Sequence, residues 1–194
     1  MRSIKSITLL NNLQSDLRQI ILQAKRLEQL PVTTMTRNPS PEKWNIAQVL
    51  EHLNFYSRHY IHAVEQQFHG NEYEATEYFK PGWLGNYFTA LMKPRPDNSI
   101  GKKMKAPKNA LPSTQPNAAE MLQEFMEHQH HLLNLLQIAK SKNLGTIRIP
   151  TSISKLISLK LGDTFRFFMA HEQRHFIQIE HIRQSDTQPV TSMA

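Results

Sequence analysis

At 194 residues and 39% hydrophobic content, the chain is long enough for one domain with a substantial core. It has no cysteine, which excludes disulfides, thiolate metal sites and a cysteine nucleophile, and points to a reducing cytoplasm. Of the net charge of +7, +5 lies in one proline-rich stretch, where Lys93, Arg95, Lys102, Lys103, Lys105 and Lys108 face only Asp97. That stretch has neither interleaved aromatics nor a recognition-helix pattern, so it reads as a solvated loop and not as a nucleic-acid interface.

The N-terminus MRSIKSITLLNNLQ carries basic residues, but its apolar runs are too short for a signal peptide. No window approaches the ~18 consecutive apolar residues of a membrane span. The expectation is a soluble, cytoplasmic protein with no membrane or nucleic-acid partner.

Residues 4–30 place Ile7, Leu10, Leu13, Leu17, Ile20, Ala24, Leu27 and Leu30 at steps of three and four. This predicts a helix with one apolar face, stopped by Pro31. NPSPEKWN (38–45) forms a capping segment in which Asn45 and Gln48 make a capping box. A second helix runs from there to about His69, ahead of Gly70 and Asn71. Residues 72–92 are aromatic-rich but interrupted by Pro81, Gly82 and Gly85, which leaves room for a short helix over 83–92.

Residues 93–117 hold five prolines and little periodicity, hence a long crossover loop. The next long helix covers 118–142, with Met121, Phe125, His128, Leu132, Leu135 and Ala139 on one stripe. TIRIP (146–150) is short and extended, residues 152–158 suit a turn of helix, and the last long helix runs from Gly162-Asp163 to Arg183. The tail SDTQPVTSMA, after about residue 184, reads as disordered. Four long amphipathic helices, one crossover and no strand pattern of weight predict an all-α four-helix bundle, one domain over 1–194.

Chemistry concentrates in AHEQRHFIQIEH (170–181). His171, Glu172 and His175 form His-Glu-x-x-His, and His181 completes the spacing of the zinc-protease motif HExxHxxGxxH, with Gln178 in place of its glycine. On an unbroken helix His181 lies roughly 15 Å along the axis from His171 and about 80° around it. Nothing between Phe176 and Glu180 breaks the helix to swing it back, and no upstream sheet is visible to hold a peptide. The protease match is therefore accidental, and His181 and Arg174 read as solvated.

His171 and His175, one turn apart, can still share one ion. Phe165, Phe168, Phe176, Ile179 and Ile182 mark the apolar face, with His175 inside it and His171 at its edge. A third ligand must come from another helix. On the second helix His52 sits at the edge of the core side marked by Val49, Leu53, Tyr60 and Val64, and His59 lies two turns on. His62 points outward, whereas His128 lies in the stripe of the third long helix. Stripe position alone leaves His52, His59 and His128 all open.

SPEKWNIAQVLEHL (40–53), followed by LGDTFRFFMAHEQRHFIQIEHI (161–182), resembles the DinB-like superfamily. The likeness is nearest to its branch of metal-dependent hydrolases and thiol-dependent S-transferases, and it spans residues 4–184. The resemblance implies a four-helix bundle, often a homodimer, with a three-histidine metal site. Its W…EHL histidine matches His52 beside Trp44, and its H-x-x-x-H pair matches His171 and His175. It further implies one divalent ion, zinc or nickel foremost with iron or manganese as alternatives. The partners it implies are a small-molecule substrate and a low-molecular-weight thiol.

Around these ligands, Glu172 is a carboxylate on an apolar face. It suits a hydrogen-bonded partner of the site, a pairing with a basic residue of another helix or, more remotely, a catalytic base. Gln48 and Tyr56 flank His52 as candidate pocket wall. Trp44, Tyr78, Phe79, Trp83, Tyr87 and Phe88 either line a pocket or pack over the bundle end. The expected function is a metal-dependent hydrolase or S-transferase. The alternative from another class is a non-enzymatic bundle that binds a metal or ligand.

Overall fold

The computed structural model describes residues 2–69, 73–97, 99–101, 104–154 and 156–187. Helix α1 (Ser6–Leu27) is followed by a short α2 (Val32–Thr36), then α3 (Ile46–Phe68), α4 (Trp83–Met92), α5 (Ala118–Ile138) and α6 (Leu161–Thr187). The described residues also hold 3-10 turns at Lys108–Ala110 and Ala139–Ser141 and two small antiparallel pairs: β1 (Ile4–Lys5) with β2 (Tyr78–Phe79), and β3 (Arg148–Pro150) with β4 (Ser158–Lys160). The four long helices form the bundle, with α1 and α3 each packed against both α5 and α6.

Sequence patterning explains the packing, with local corrections. The buried face of α1 is Leu9, Leu10, Leu13, Leu17, Ile20, Ile21, Ala24 and Leu27, and Ile7 is half exposed rather than part of it. The chain before Ser6 is extended, so the helix starts later than the apolar pattern suggests. On α5 the stripe shifts by one residue. Leu122 and Gln129 are buried, while Met121 and His128 sit at its margin. Phe125 of α5 meets Phe176 of α6 through the core, ring centroids 5.4 Å apart.

The start of α3 is fixed as its sequence predicts. Asn45 accepts from the Gln48 amide at 2.9 Å, and the Gln48 side chain accepts from the Asn45 amide at 3.0 Å. Two otherwise orphaned helix donors are thereby satisfied. Among the described residues of 152–158 there is no helical turn. Arg148–Pro150 and Ser158–Lys160 instead pair as β3 and β4, because the extended TIRIP segment recruits Ser158–Lys160 as its partner.

Helix α4 lies across α6 at two glycine contacts. Asp163 of α6 accepts from the Gly82 amide at 2.7 Å and pairs with Arg166 at 3.0 Å. A Cβ on Gly85 would fall 2.3 Å from both Cβ and Cγ of Asp163, and one on Gly162 would fall 2.8 Å from the Phe79 ring. Gly85, in the first turn of α4, is thus a glycine retained for close approach, against its own poor helix propensity. Gly85→Ala should destabilise the protein by about 1–3 kcal/mol through overpacking, outweighing the ~1 kcal/mol propensity gain. Urea denaturation reads this directly, and a stabilised variant would contradict the close-approach assignment.

Candidate metal centre

The fold brings His52 of α3 to His171 and His175 of α6. One ligating nitrogen from each lies within 4.8 Å of the others. Nε2 of His171 and Nε2 of His175 are 3.1 Å apart. That is close to the spacing of two nitrogens sharing an ion with bonds of ~2.0–2.1 Å.

The outer nitrogens explain the direction of the inner ones. Nδ1–H of His52 donates to the Ala110 carbonyl at 2.8 Å, and Nδ1–H of His175 donates to Gln178 Oε1 at 2.9 Å. A ring whose Nδ1 donates presents Nε2 as a lone pair, so these partners select the tautomer that can ligate. His171 Nδ1 is buried with no hydrogen-bond partner. The 3.1 Å contact is bridged by a proton when His171 carries it on Nε2, and with both Nε2 atoms as lone pairs the same gap suits a cation. The donor set therefore fits a divalent ion.

Burial keeps all three imidazoles neutral. It pushes His52 below the ordinary histidine value, holds His171 well below it, and takes His175 down to about 3, with neighbouring positive charge adding to the effect on the α6 pair. His171 is the deeper of that pair and His175 is half-buried, the reverse of their order on the apolar-face reading.

The other histidines go elsewhere. His59 donates from Nε2 to the Pro150 carbonyl at 3.0 Å, and so anchors β3. His128 contacts Asn54 at 3.3 Å at the α3–α5 seam. His62 and His181 are exposed. Arg174, expected in solvent, is only 7% exposed, because α6 is covered by neighbours over most of its circumference.

An aromatic wall surrounds the cluster. The Trp44 and Tyr56 rings each lie 5.0 Å from His52, Tyr56 is 4.6 Å from His171, and Phe167 stacks parallel to His171 at 6.1 Å. Burial pushes the Tyr56 phenol up to about 12, so it keeps its proton. Phe88 of α4 backs Phe167 at 6.1 Å. Phe79 is core, whereas Tyr78, Trp83 and Tyr87 are exposed.

Gln48, expected as pocket wall, is engaged in hydrogen bonds to the backbone. Its Oε1 serves the capping box, and its Nε2 donates to the carbonyls of Ser113 and Thr114 at 3.0 and 3.3 Å. Glu172 is turned toward α5, where Gln129 donates to its Oε1 at 2.8 Å. It pairs with neither a site histidine nor a basic residue there, and burial raises its carboxyl to about 8.

Sequence reasoning missed Gln129, although its position four residues after Phe125 places it on the α5 stripe. It also missed Ala110, whose contribution is a backbone carbonyl and has no side-chain signal.

A family match to the DinB superfamily covers residues 18–179. The chain belongs to the DinB superfamily. The match includes both the α3 histidine and the α6 pair, which puts the three-histidine cluster of this DinB-superfamily bundle inside the matched region. No curated protein and no solved structure matches the chain. Among the described residues, no helix is long and apolar enough to cross a membrane.

Proposed function

We propose that this DinB-superfamily chain is a metal-dependent enzyme that transfers a low-molecular-weight thiol to a small electrophilic molecule. The observation that carries the reading is the convergence of three neutral imidazoles, two of them oriented by outer hydrogen bonds, beside an aromatic wall. His52, His171 and His175 would hold one divalent ion, with zinc or nickel suited to an all-imidazole set and iron or manganese as alternatives. Bound there, the ion supplies Lewis-acid chemistry, lowering the pKa of a thiol or of water so that its anion is available at neutral pH.

The chain's own residues supply the rest. Burial among Trp44, Tyr56 and Phe167 limits water around the nucleophile, and the protonated Tyr56 hydroxyl is a donor suited to a polar group of the substrate. With no cysteine in the chain, the thiol is a cosubstrate. The contact of Glu172 with Gln129 favours S-transfer over hydrolysis. A thiol loses its proton on binding a metal, whereas water activation gains from an adjacent base, and Glu172 is engaged by α5. Hydrolysis is the second reading, and a non-enzymatic metal-binding bundle the third.

We place the protein in the cytoplasm, on its lack of cysteine, and read it as a homodimer. Trp83 and Tyr87, exposed one turn apart on α4, support the latter. The deciding experiment is metal analysis of untagged protein, followed by a screen of small thiols and electrophiles with and without chelator. Thiol consumption that needs the metal and falls with His175→Ala is expected. Metal-loaded protein that is inert in the thiol screen but hydrolyses esters or amides would move the assignment to hydrolase.

A further inference from the structure

Three side chains from the first two turns of α3, Gln48 and the adjacent Glu51 and His52 one turn on, grip the same short piece of the crossover segment. Gln48 donates to the carbonyls of Ser113 and Thr114. Glu51 accepts from both the amide and the hydroxyl of Ser113, at 2.8 and 3.0 Å. His52 donates to the carbonyl of Ala110, which is itself buried. Lys108–Ala110 is a single 3-10 turn and residues 111–117 have no regular structure, so these grips specify where the segment lies.

We propose that Glu51 is a positioning residue for the metal centre. By holding Ser113 it keeps the Ala110 carbonyl against His52, so cation binding and closure of residues 108–114 onto α3 are one coupled equilibrium. The inference rests on the metal reading above and extends it to residues that touch no ligand.

A ligating histidine depends on its outer hydrogen bond for ring angle and tautomer, and losing such a partner typically weakens metal binding by about 10–100-fold. For His52 that partner is a backbone carbonyl in an irregular segment, which is as well placed as the segment is. Glu51 supplies two hydrogen bonds only three residues along from Ala110, and its carboxylate acceptor makes them stronger than neutral ones.

The coupling is reciprocal. If the closed segment raises cation affinity by some factor, the bound cation must favour closure by the same factor. A Glu51 that merely stabilised a surface loop would produce no such equality.

The test uses the full chain and Zn²⁺ alone, titrated in competition with a chromophoric chelator. It is paired with hydrogen exchange at the Ala110 and Leu111 amides, which bond within the 3-10 turn and not to Glu51. Glu51→Ala should weaken Zn²⁺ binding roughly three- to tenfold, below the range for a direct partner because it acts one step removed. In the wild type, Zn²⁺ should slow exchange at these amides, and in Glu51→Ala it should slow it less.

Ser113→Ala, which removes one of the two hydrogen bonds, should fall between them and serves if Glu51→Ala does not fold. Unchanged affinity in both variants, with exchange accelerated equally with and without Zn²⁺, overturns the coupling while leaving the metal site intact. Wild-type protein that binds neither Zn²⁺ nor Ni²⁺ overturns the metal reading and this inference together.

Discussion

Replacing Glu172 with glutamine should make the metal-free protein more stable in alkaline solution and change it little near pH 4. Glu172 is fully buried, with Gln129 on one oxygen and no partner on the other. Burial raises its carboxyl from 4.5 to about 8. The folded state therefore keeps a proton that the unfolded chain releases from about pH 4.5 upward. A raised group contributes stability that is fully present below the unfolded value and is lost as pH climbs through the folded one.

Glutamine mimics the protonated acid at every pH and suffers no such loss. The advantage of Glu172→Gln should grow from pH 4.5 to about 8 and then level off at a few kcal/mol. The orphaned Oε1 of Gln129 and Oε2 of Glu172 are complementary in kind once one of them carries hydrogen, as the amide of a glutamine would. Urea midpoints measured with chelator from pH 4 to 9 test this. Parallel curves for the two proteins would mean that the buried carboxyl titrates normally.

The buried histidines act with the opposite sign. Their folded values lie below 6.5, so the unfolded chain takes up protons first and stability declines as pH falls below 6.5, toward the value of about 3 held by His175.

Loss of a ligand should empty the site without melting the bundle. His171→Ala removes a buried imidazole that stacks on Phe167 and meets Tyr56. Metal affinity should drop by a factor on the order of 10²–10³, a one-ligand share of typical zinc binding energies. Helical circular dichroism should stay within a few per cent of the parent, because the bundle rests on four apolar faces and not on the ion. The cavity costs about 1–3 kcal/mol, which shifts the melting temperature and not the fold. Wholesale loss of helicity would instead mark the metal as structural.

How much of this was legible in the sequence depended on whether a residue acts through periodicity or through the backbone. The bundle followed from apolar spacing, and the start of α3 from Asn45 and Gln48, since capping is local chemistry. Spacing alone could not decide which of His52, His59 and His128 joins the α6 pair. All three lie on or near core faces, and the choice depends on how α3 is rotated against α6. Resemblance to the family supplied it.

Prolines and lysines give the crossover segment the pattern of a long solvated loop. In the fold its second half is held by Gln48, Glu51 and His52. The partners there are mostly main-chain atoms, which leave no trace in side-chain patterns. The β3–β4 pair was missed for a related reason: Ser158–Lys160 is too short to show alternation by itself.

The central claim is that one α3 histidine and an α6 pair form a single site, and that the protease-like spacing to His181 is incidental. Metal content after reconstitution with Zn²⁺ and desalting, measured side by side on His52→Ala, His175→Ala and His181→Ala, tests it most directly. His181 is exposed, almost three turns from His171 along α6, whereas His52 faces the pair. The account predicts that His52→Ala and His175→Ala are close to empty and that His181→Ala retains the parental content. Full metal in His52→Ala, together with an empty His181→Ala, would contradict it and return the protease arrangement to consideration.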